Sequence, residues 1–477
     1  MNNNGIGNIR IDHRMFLGTS AMVLGAMALG VLTTDGSVAG KVTRTPNIIL
    51  ILADDLGAKE LSCYGSIRHQ TPNLDRMASV GMRFETFYAM PLCTPTRMSL
   101  MTGQYGFHNG YLGMLDPTFL PAPGTPQREI GNHFTFADLL KSRGYATALS
   151  GKWQLSGKLP TLIHDAGFDE YRMWAYTNNL PEGIKPPSFE GNGTKASRYW
   201  HPSIVENGKY LPTRPDDFGP DLFNDFVIDF AHRHKSKPFF IYYTSVLTHE
   251  PRVETPDPTN PGARWPAGLK SNLEYFDYLM GKLFSSLKAD GLDENTLVIF
   301  LGDNGTGGGE GKMQVKEIGA RVPCIIRGPE VKRGVVSRAV GDLTDFMPTF
   351  AELSGAELPK NQPFDGHSLV PVLRGEKEKH RDWIYSHLED GRVLRDQRWL
   401  LEIDKGGKGE KFFDCGESRD GTNYKDVTGS TDPEVKAARQ RFAAVLASMP
   451  IPKPRELTPQ EKMNKQPKMN KQKDKKK

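Results

Sequence analysis

Asp54, Asp55, Asp303 and Asn304 stand as two adjacent pairs far apart in the chain, each pair directly after a short apolar run. Together they offer only oxygen ligands. Such a set suits a hard divalent cation, Ca2+ or Mg2+, rather than zinc, and carboxylates crowded together without a cation would be costly. The other polar residues placed after apolar runs or in nearby loops are cationic or proton-carrying: Arg97, Lys152, His249 and Lys312. A cation held among carboxylates and flanked by fixed positive side chains suits a tetrahedral oxyanion ester, so the reaction class is phosphoryl or sulfuryl transfer. Cys93 lies between Pro91 and Pro95, four residues before Arg97. By itself it reads as a buried thiol, half of a disulfide, a nucleophile, or the precursor of another group.

These residues are hundreds of positions apart, so the fold must bring them together. The chain alternates short apolar runs with longer helix-like segments, which predicts an α/β protein with a large, mostly parallel sheet between helices. Five runs read as buried strands: "NIILILA", "YATALS", "FFIYYTSV", "TLVIFL" and "PCIIR". Asp54 and Asp55 follow the first, Lys152 and Gln154 the second, His249 the third, and Asp303 and Asn304 the fourth. In an open α/β sheet the carboxyl ends of parallel strands line one crevice, where such residues converge. Taken alone, Asp54-Asp55 before Gly57 could merely cap a turn or helix. After "ELPKNQPFDGHSLVPVL" the alternation stops, and "DWIYSHLEDGRVLRDQRWLLEIDKGGKGEKFFD" predicts a smaller antiparallel sheet. The loop at 175–220 is rich in Gly, Pro and Asn and that at 250–268 in Pro, and these loops together with the C-terminal subdomain are expected to carry substrate specificity.

The stretch "CTPTRMSLMTG" resembles the Cys-x-Pro-x-Arg signature of type I sulfatases, in the alkaline phosphatase superfamily. The similarity continues in that family's order through "PNIILILADDLG", "TPNLDRMASVGMRFETFYA", "GKWQL", "THEP", "GDNGT", "KEIGARVPCIIRGP" and "TDFMPTFAELSG". It implies an alkaline-phosphatase-like fold and a hydrolase of sulfate esters, either aryl sulfates or sulfated glycans. It further implies that Cys93 is oxidised by a formylglycine-generating enzyme to Cα-formylglycine, whose hydrate is a geminal diol. One hydroxyl of the diol attacks sulfur, and the second expels sulfate as the aldehyde re-forms.

Position by position, the resemblance makes Asp54, Asp55, Asp303 and Asn304 ligands of Ca2+ (or Mg2+), with residue 93 completing the shell. Arg97 orients the diol, and Lys152 and Lys312 hold the sulfate oxygens. His249 stands near the leaving oxygen as proton donor. One block departs from the pattern: "GKWQL" carries Gln154 where most sulfatases have a histidine credited with deprotonating the second hydroxyl. A glutamine contacts substrate through hydrogen bonds but takes up no proton near neutral pH. A water or another side chain, such as His108, then serves as base, or turnover is slow. Two other readings stay open: a phosphomonoester or phosphonate monoester hydrolase of the same superfamily, and an impaired relative that binds sulfated glycans.

The ends of the chain predict its setting. Arg10 and Arg14 precede the apolar run "MFLGTSAMVLGAMALGVL" and the small residues of "SVAG". That is a signal peptide over residues 1–39, cut after Ala39, and hence a periplasmic or secreted enzyme without a stable membrane span. An uncleaved anchor is the competing reading. The catalytic domain is expected over 44–360, the C-terminal subdomain over 361–450, and a disordered basic tail over 451–477. From Lys453 onward, nine lysines and Arg455 oppose three acids, a net of +7 against +5 for the whole chain, so the remainder stands near −2. The basic balance therefore argues for no nucleic-acid partner, and no groove-reading motif is present. Cys63, Cys93, Cys324 and Cys415 are too few for a disulfide scaffold.

Overall fold

The structure is a computed structural model that describes residues 45–113, 125, 129–155, 159–176, 179–187, 196–407, 409–450, 455–459, 461 and 462. The expected signal peptide and most of the basic tail lie outside the described residues. In chain order the strands are β1 (Asn47–Ala53), β2 (Met82–Tyr88), β3 (Ala146–Lys152), β4 (Glu170–Trp174), β5 (Ile204–Glu206), β6 (Lys209–Leu211), β7 (Phe239–Thr244), β8 (Thr255–Pro256), β9 (Arg264–Trp265), β10 (Thr296–Gly302), β11 (Cys324–Arg327), β12 (Val335–Asp342), β13 (Ile384–Leu388), β14 (Gly391–Arg395), β15 (Trp399–Ile403), β16 (Glu410–Asp414) and β17 (Lys425–Asp426).

A near-continuous apolar strand needs cover on both faces, and β1 shows how this is met. Ile48, Leu50 and Leu52 pack into one core with Phe136–Leu140 and Phe346–Phe350. Ile49, Ile51 and Ala53 pack into another with side chains of the helices Gly219–Arg233 and Leu269–Ala289. All six side chains are fully buried, each worth roughly 1.5–3 kcal/mol for the larger ones. The result is a helix–sheet–helix sandwich.

The large sheet has the order β12-β2-β11-β10-β1-β7-β3-β4-β5-β6. Its centre, β10-β1-β7-β3-β4, is parallel throughout. Register then sets the strand ends side by side: Ala53 pairs with Gly302, Leu52 with Thr244, Gly151 with Thr244, and Lys152 with Trp174. Gly302 is required here, because a Cβ would lie 2.1 Å from the Leu56 carbonyl oxygen.

The run "PCIIR" forms β11 but runs antiparallel to both β10 and β2. The chain leaving β10 therefore turns back and enters β11 from the same edge. Residues 303–323, Lys312 among them, thus stay at that edge. The second sheet, β13-β14-β15-β16-β17, is antiparallel and is backed by the helix Pro433–Ala447, with Phe442 edge-on to Phe412.

Candidate active site

Backbone hydrogen bonds extend the parallel ladder past the strands. Asp303 N donates to Ala53 O (2.9 Å), Asp54 N to Leu247 O (2.9 Å), and Thr248 N to Asp54 O (2.7 Å). Asp54, the Val246–His249 loop and Asp303 are thereby held against one another. Asp55 takes a left-handed backbone (φ 61°), and its N–H donates to Asp303 Oδ1 at 2.8 Å. Cys93 is buried as the first residue of the helix Cys93–Thr102, whose every residue is buried. Thr96 ties that helix to the site by donating to the Asp303 carbonyl at 2.6 Å.

Each carboxylate meets a different cation. Lys152 Nζ is 2.8 Å from both oxygens of Asp54, and Lys312 Nζ is 2.8 Å from Asp55 Oδ2. Arg97 lies 3.3 Å from Asp303 Oδ2 and 3.7 Å from Asp54 Oδ1, while its other arm donates to Lys152 O at 3.0 Å. Asp54 and Asp303 are 0% exposed and Arg97 and Lys152 1%, so these charges act through little water. Burial pushes the Asp54 carboxyl up, yet Lys152, helped by His249, Arg97 and Lys312, holds it well below the usual range. For Asp303, burial and then the neighbouring Asp54 charge prevail over Arg97 and Lys152, and its carboxyl is held well above that range.

His249 Nε2 lies 2.9 Å from Lys312 Nζ and 3.7 Å from Asp55 Oδ2, and Nδ1 lies 2.5 Å from Glu250 O. The network assigns the Nδ1–H tautomer, with Nε2 accepting from Lys312. Burial lowers the imidazole to about 3 against the opposing pull of Asp54. The Cys93 thiol makes no hydrogen bond among the described residues, and it lies within electrostatic reach of Lys312, Arg97 and the Tyr176 phenol.

The matching sulfatase family model covers residues 46–356, from the first strand to beyond Lys312. The chain belongs to the sulfatase family. It is 34% identical to human arylsulfatase A over 382 residues, covering 72% of this chain and 71% of that protein. It is 30% identical to N-acetylgalactosamine-6-sulfatase of Canis lupus familiaris over 397 residues, covering 76% and 73%. The crystal structure of Ps i-CgsB aligns with a TM-score of 0.68 at 26% identity, covering 84% of this chain and 92% of that one. This sulfatase is accordingly a sulfuric ester hydrolase of the arylsulfatase type, with the alkaline-phosphatase-like fold.

The family is generally metal-dependent, and the site of this sulfatase fits a hard cation. Asp54, Asp55 and His249 each offer a ligand atom within 4.8 Å of one another. Asn304 donates its amide N–H to Asp55 Oδ1 (2.9 Å) and the Gly305 carbonyl, leaving Oδ1 buried without a partner among the described residues. An orphaned amide oxygen beside three buried carboxylates is a donor set for Ca2+ or Mg2+.

Gln154 follows β3 with φ 54°, and its buried Oε1 likewise lacks a hydrogen-bond partner among the described residues. His108 Nδ1 lies 2.9 Å from Asp365 Oδ2. All four cysteines are free.

Sequence reasoning passed over Arg198 and Tyr199. Arg198 is 2% exposed and lies 4.0 Å from Asp54 Oδ2. The Tyr199 hydroxyl lies against the carbonyl oxygens of Val246 (3.0 Å) and His249 and so anchors the His249 loop. Nothing in "ASRYW" marked either residue, since the contact exists only after β4 and β7 are side by side with β3.

Proposed function

We propose that this sulfatase is an exported, Ca2+-dependent enzyme that uses formylglycine at position 93 to release sulfate from aryl sulfates or sulfated glycans. One observation carries the reading. Lys152 and Lys312 each sit 2.8 Å from a different member of the Asp54-Asp55 pair, with Arg97 behind them on the helix that Cys93 begins. Asp54, Asp55, Asp303 and Asn304, with residue 93, would hold Ca2+ (Mg2+ as substitute), which when bound polarises oxygen as a Lewis acid. Formylglycine, made by a formylglycine-generating enzyme, supplies a hydroxyl nucleophile in its hydrated form.

The chain's own side chains do the rest. Arg97, fixed by the Lys152 carbonyl, orients residue 93. Lys152 and Lys312 bind the sulfate oxygens, and the Gln154 amide adds an N–H donor. The Lys312 ammonium gives its proton to His249 Nε2, which passes it to the leaving oxygen, and burial of the group keeps these charges strong. The catalytic unit in this reading runs over 44–360 and the C-terminal subdomain over 361–450. Export rests on the signal pattern of residues 1–39. Among the described residues no helix is long and apolar enough to cross a membrane.

The test is release of sulfate from 4-nitrophenyl sulfate and from a panel of sulfated mono-, oligo- and polysaccharides, with 4-nitrophenyl phosphate as control. Activity that persists in Cys93→Ala, or a residue-93 peptide whose mass shows an unconverted thiol in fully active enzyme, would overturn the nucleophile assignment.

A further inference from the structure

We propose that Arg198 is a substrate-binding residue of this sulfatase, and that its guanidinium holds an oxygen of the substrate's sulfate group beside Lys152. The inference rests on the proposed function of the site and extends it to a side chain outside the motif blocks. Lys152 and Arg198 approach the same carboxylate oxygen, Asp54 Oδ2, at 2.8 Å and 4.0 Å. The first is a hydrogen bond and the second is too long to be one. A tetrahedral oxyanion seated on Lys152 Nζ comes within hydrogen-bond reach of a guanidinium at that distance.

The side chain is preorganised for this. Its Cζ lies 3.8 Å from the centre of the Trp174 ring. Stacking occupies the face of the guanidinium and directs its N–H donors outward in the plane, the geometry that matches paired oxygens of an oxyanion. Trp174 is itself placed by β4, where Lys152 pairs with it across the ladder, and its Nε1 donates to Ala196 O at 2.9 Å.

The backbone of Arg198 is held as firmly. Gly219 packs so close that a Cβ there would lie 2.0 Å from the Arg198 carbonyl oxygen. Gly219 N donates to Tyr199 O at 2.8 Å, and the Tyr199 hydroxyl reaches the carbonyls that carry His249. One short segment thus couples a stacked arginine to the proton-carrying loop.

The competing role is structural, in which Arg198 only positions Asp54, so the variants must be read beyond activity alone. Mature wild-type enzyme, Arg198→Lys and Arg198→Met, which keeps an unbranched stem over Trp174, are compared. Inorganic sulfate binding and Ca2+ binding are followed by calorimetry, and kcat and KM with 4-nitrophenyl sulfate. For loss of one charge-assisted contact, Arg198→Met is expected to weaken inorganic sulfate binding and raise KM by about 10- to 100-fold, with Ca2+ affinity and melting temperature retained. Arg198→Lys should recover part of the loss. Unchanged sulfate affinity and KM in Arg198→Met would overturn the inference while leaving an active wild type, and so the parent reading, intact. An equal loss of Ca2+ affinity would also overturn it, by making Arg198 a positioning residue for Asp54. A wild type that neither binds nor releases sulfate would overturn both.

Discussion

Lys312 Nζ lies 2.9 Å from Nε2 of His249, and the same ammonium is 2.8 Å from Asp55 Oδ2. A single side chain therefore links the carboxylate cluster to the only imidazole that reaches it among the described residues. Lys312→Ala removes the proposed hydrogen-bond donor to the sulfate oxygens and the partner of His249 together. The expected fall in kcat/KM is about 10²- to 10³-fold. Lys312→Arg keeps charge but cannot give up a proton, so it should restore KM more than kcat. Initial rates with an aryl sulfate decide this, and a Lys312→Ala enzyme within threefold of wild type would rule the role out.

Removal of the divalent ion should cost both activity and stability, because three buried carboxylates and the orphaned Asn304 Oδ1 meet in one place. Binding at 100 times Kd contributes about 2.7 kcal/mol. A chelator should therefore lower the melting temperature by several degrees and abolish turnover, with Ca2+ restoring both. Asp303→Asn should be insensitive to the chelator. A melting temperature indifferent to chelation in wild type would contradict the metal assignment.

Gln154 Oε1 is buried and unpartnered, and an amide takes up no proton near neutral pH. Gln154→His places an imidazole there. General-base catalysis contributes 10²–10⁴-fold where a base was missing, so kcat should rise at least about tenfold and acquire a pH limb near 6.5. An unchanged kcat would show that another group already removes that proton. His108, hydrogen-bonded to Asp365, would then be examined by His108→Ala.

Asp277 gives a pH signature remote from the catalytic residues. It accepts from Leu74 N (2.9 Å), Asn73 N (3.1 Å) and Asn73 Nδ2 (2.9 Å), at the start of the helix Pro72–Ser79. Burial pushes its carboxyl up to about 6, against those donors. An acid raised in the folded state binds its proton more tightly there than in the unfolded chain. Its contribution to stability is therefore fully present below about pH 4 and is lost as pH rises to about 6, by roughly 2–3 kcal/mol at most. The difference in unfolding free energy between wild type and Asp277→Asn should change over that window and be flat above it. A difference that stays constant from pH 4 to 7 would refute the shift.

Much of the arrangement was legible in order along the chain. The runs before Asp54 and Asp303 are long, β-branched and apolar, and a strand covered on both faces must look so. β1 and β10 fall where those runs stand, and they lie side by side in parallel. The direction of β11 was not legible, because "PCIIR" satisfies a parallel and an antiparallel neighbour equally. Only the pairing of Cys324–Arg327 with β10 and β2 decides it. Nor was the partner of His108 legible, because Asp365, which holds its ring, is far away in sequence.

The sequence by itself determined the chemistry available: oxygen ligands in adjacent pairs, a cysteine in a sulfatase signature, and lysines and a histidine at the ends of apolar runs. It determined this because strand burial and ligand type are properties of a few consecutive residues. Which side chains share a carboxylate was decided only by the tertiary structure. Lys152 and Arg198 meet at Asp54 because strand register aligns Lys152 with Trp174. Lys312 meets His249 because the return into an antiparallel β11 keeps residues 303–323 at the active edge. Both contacts join segments tens of residues apart or more, and their distances depend on packing that no local pattern encodes.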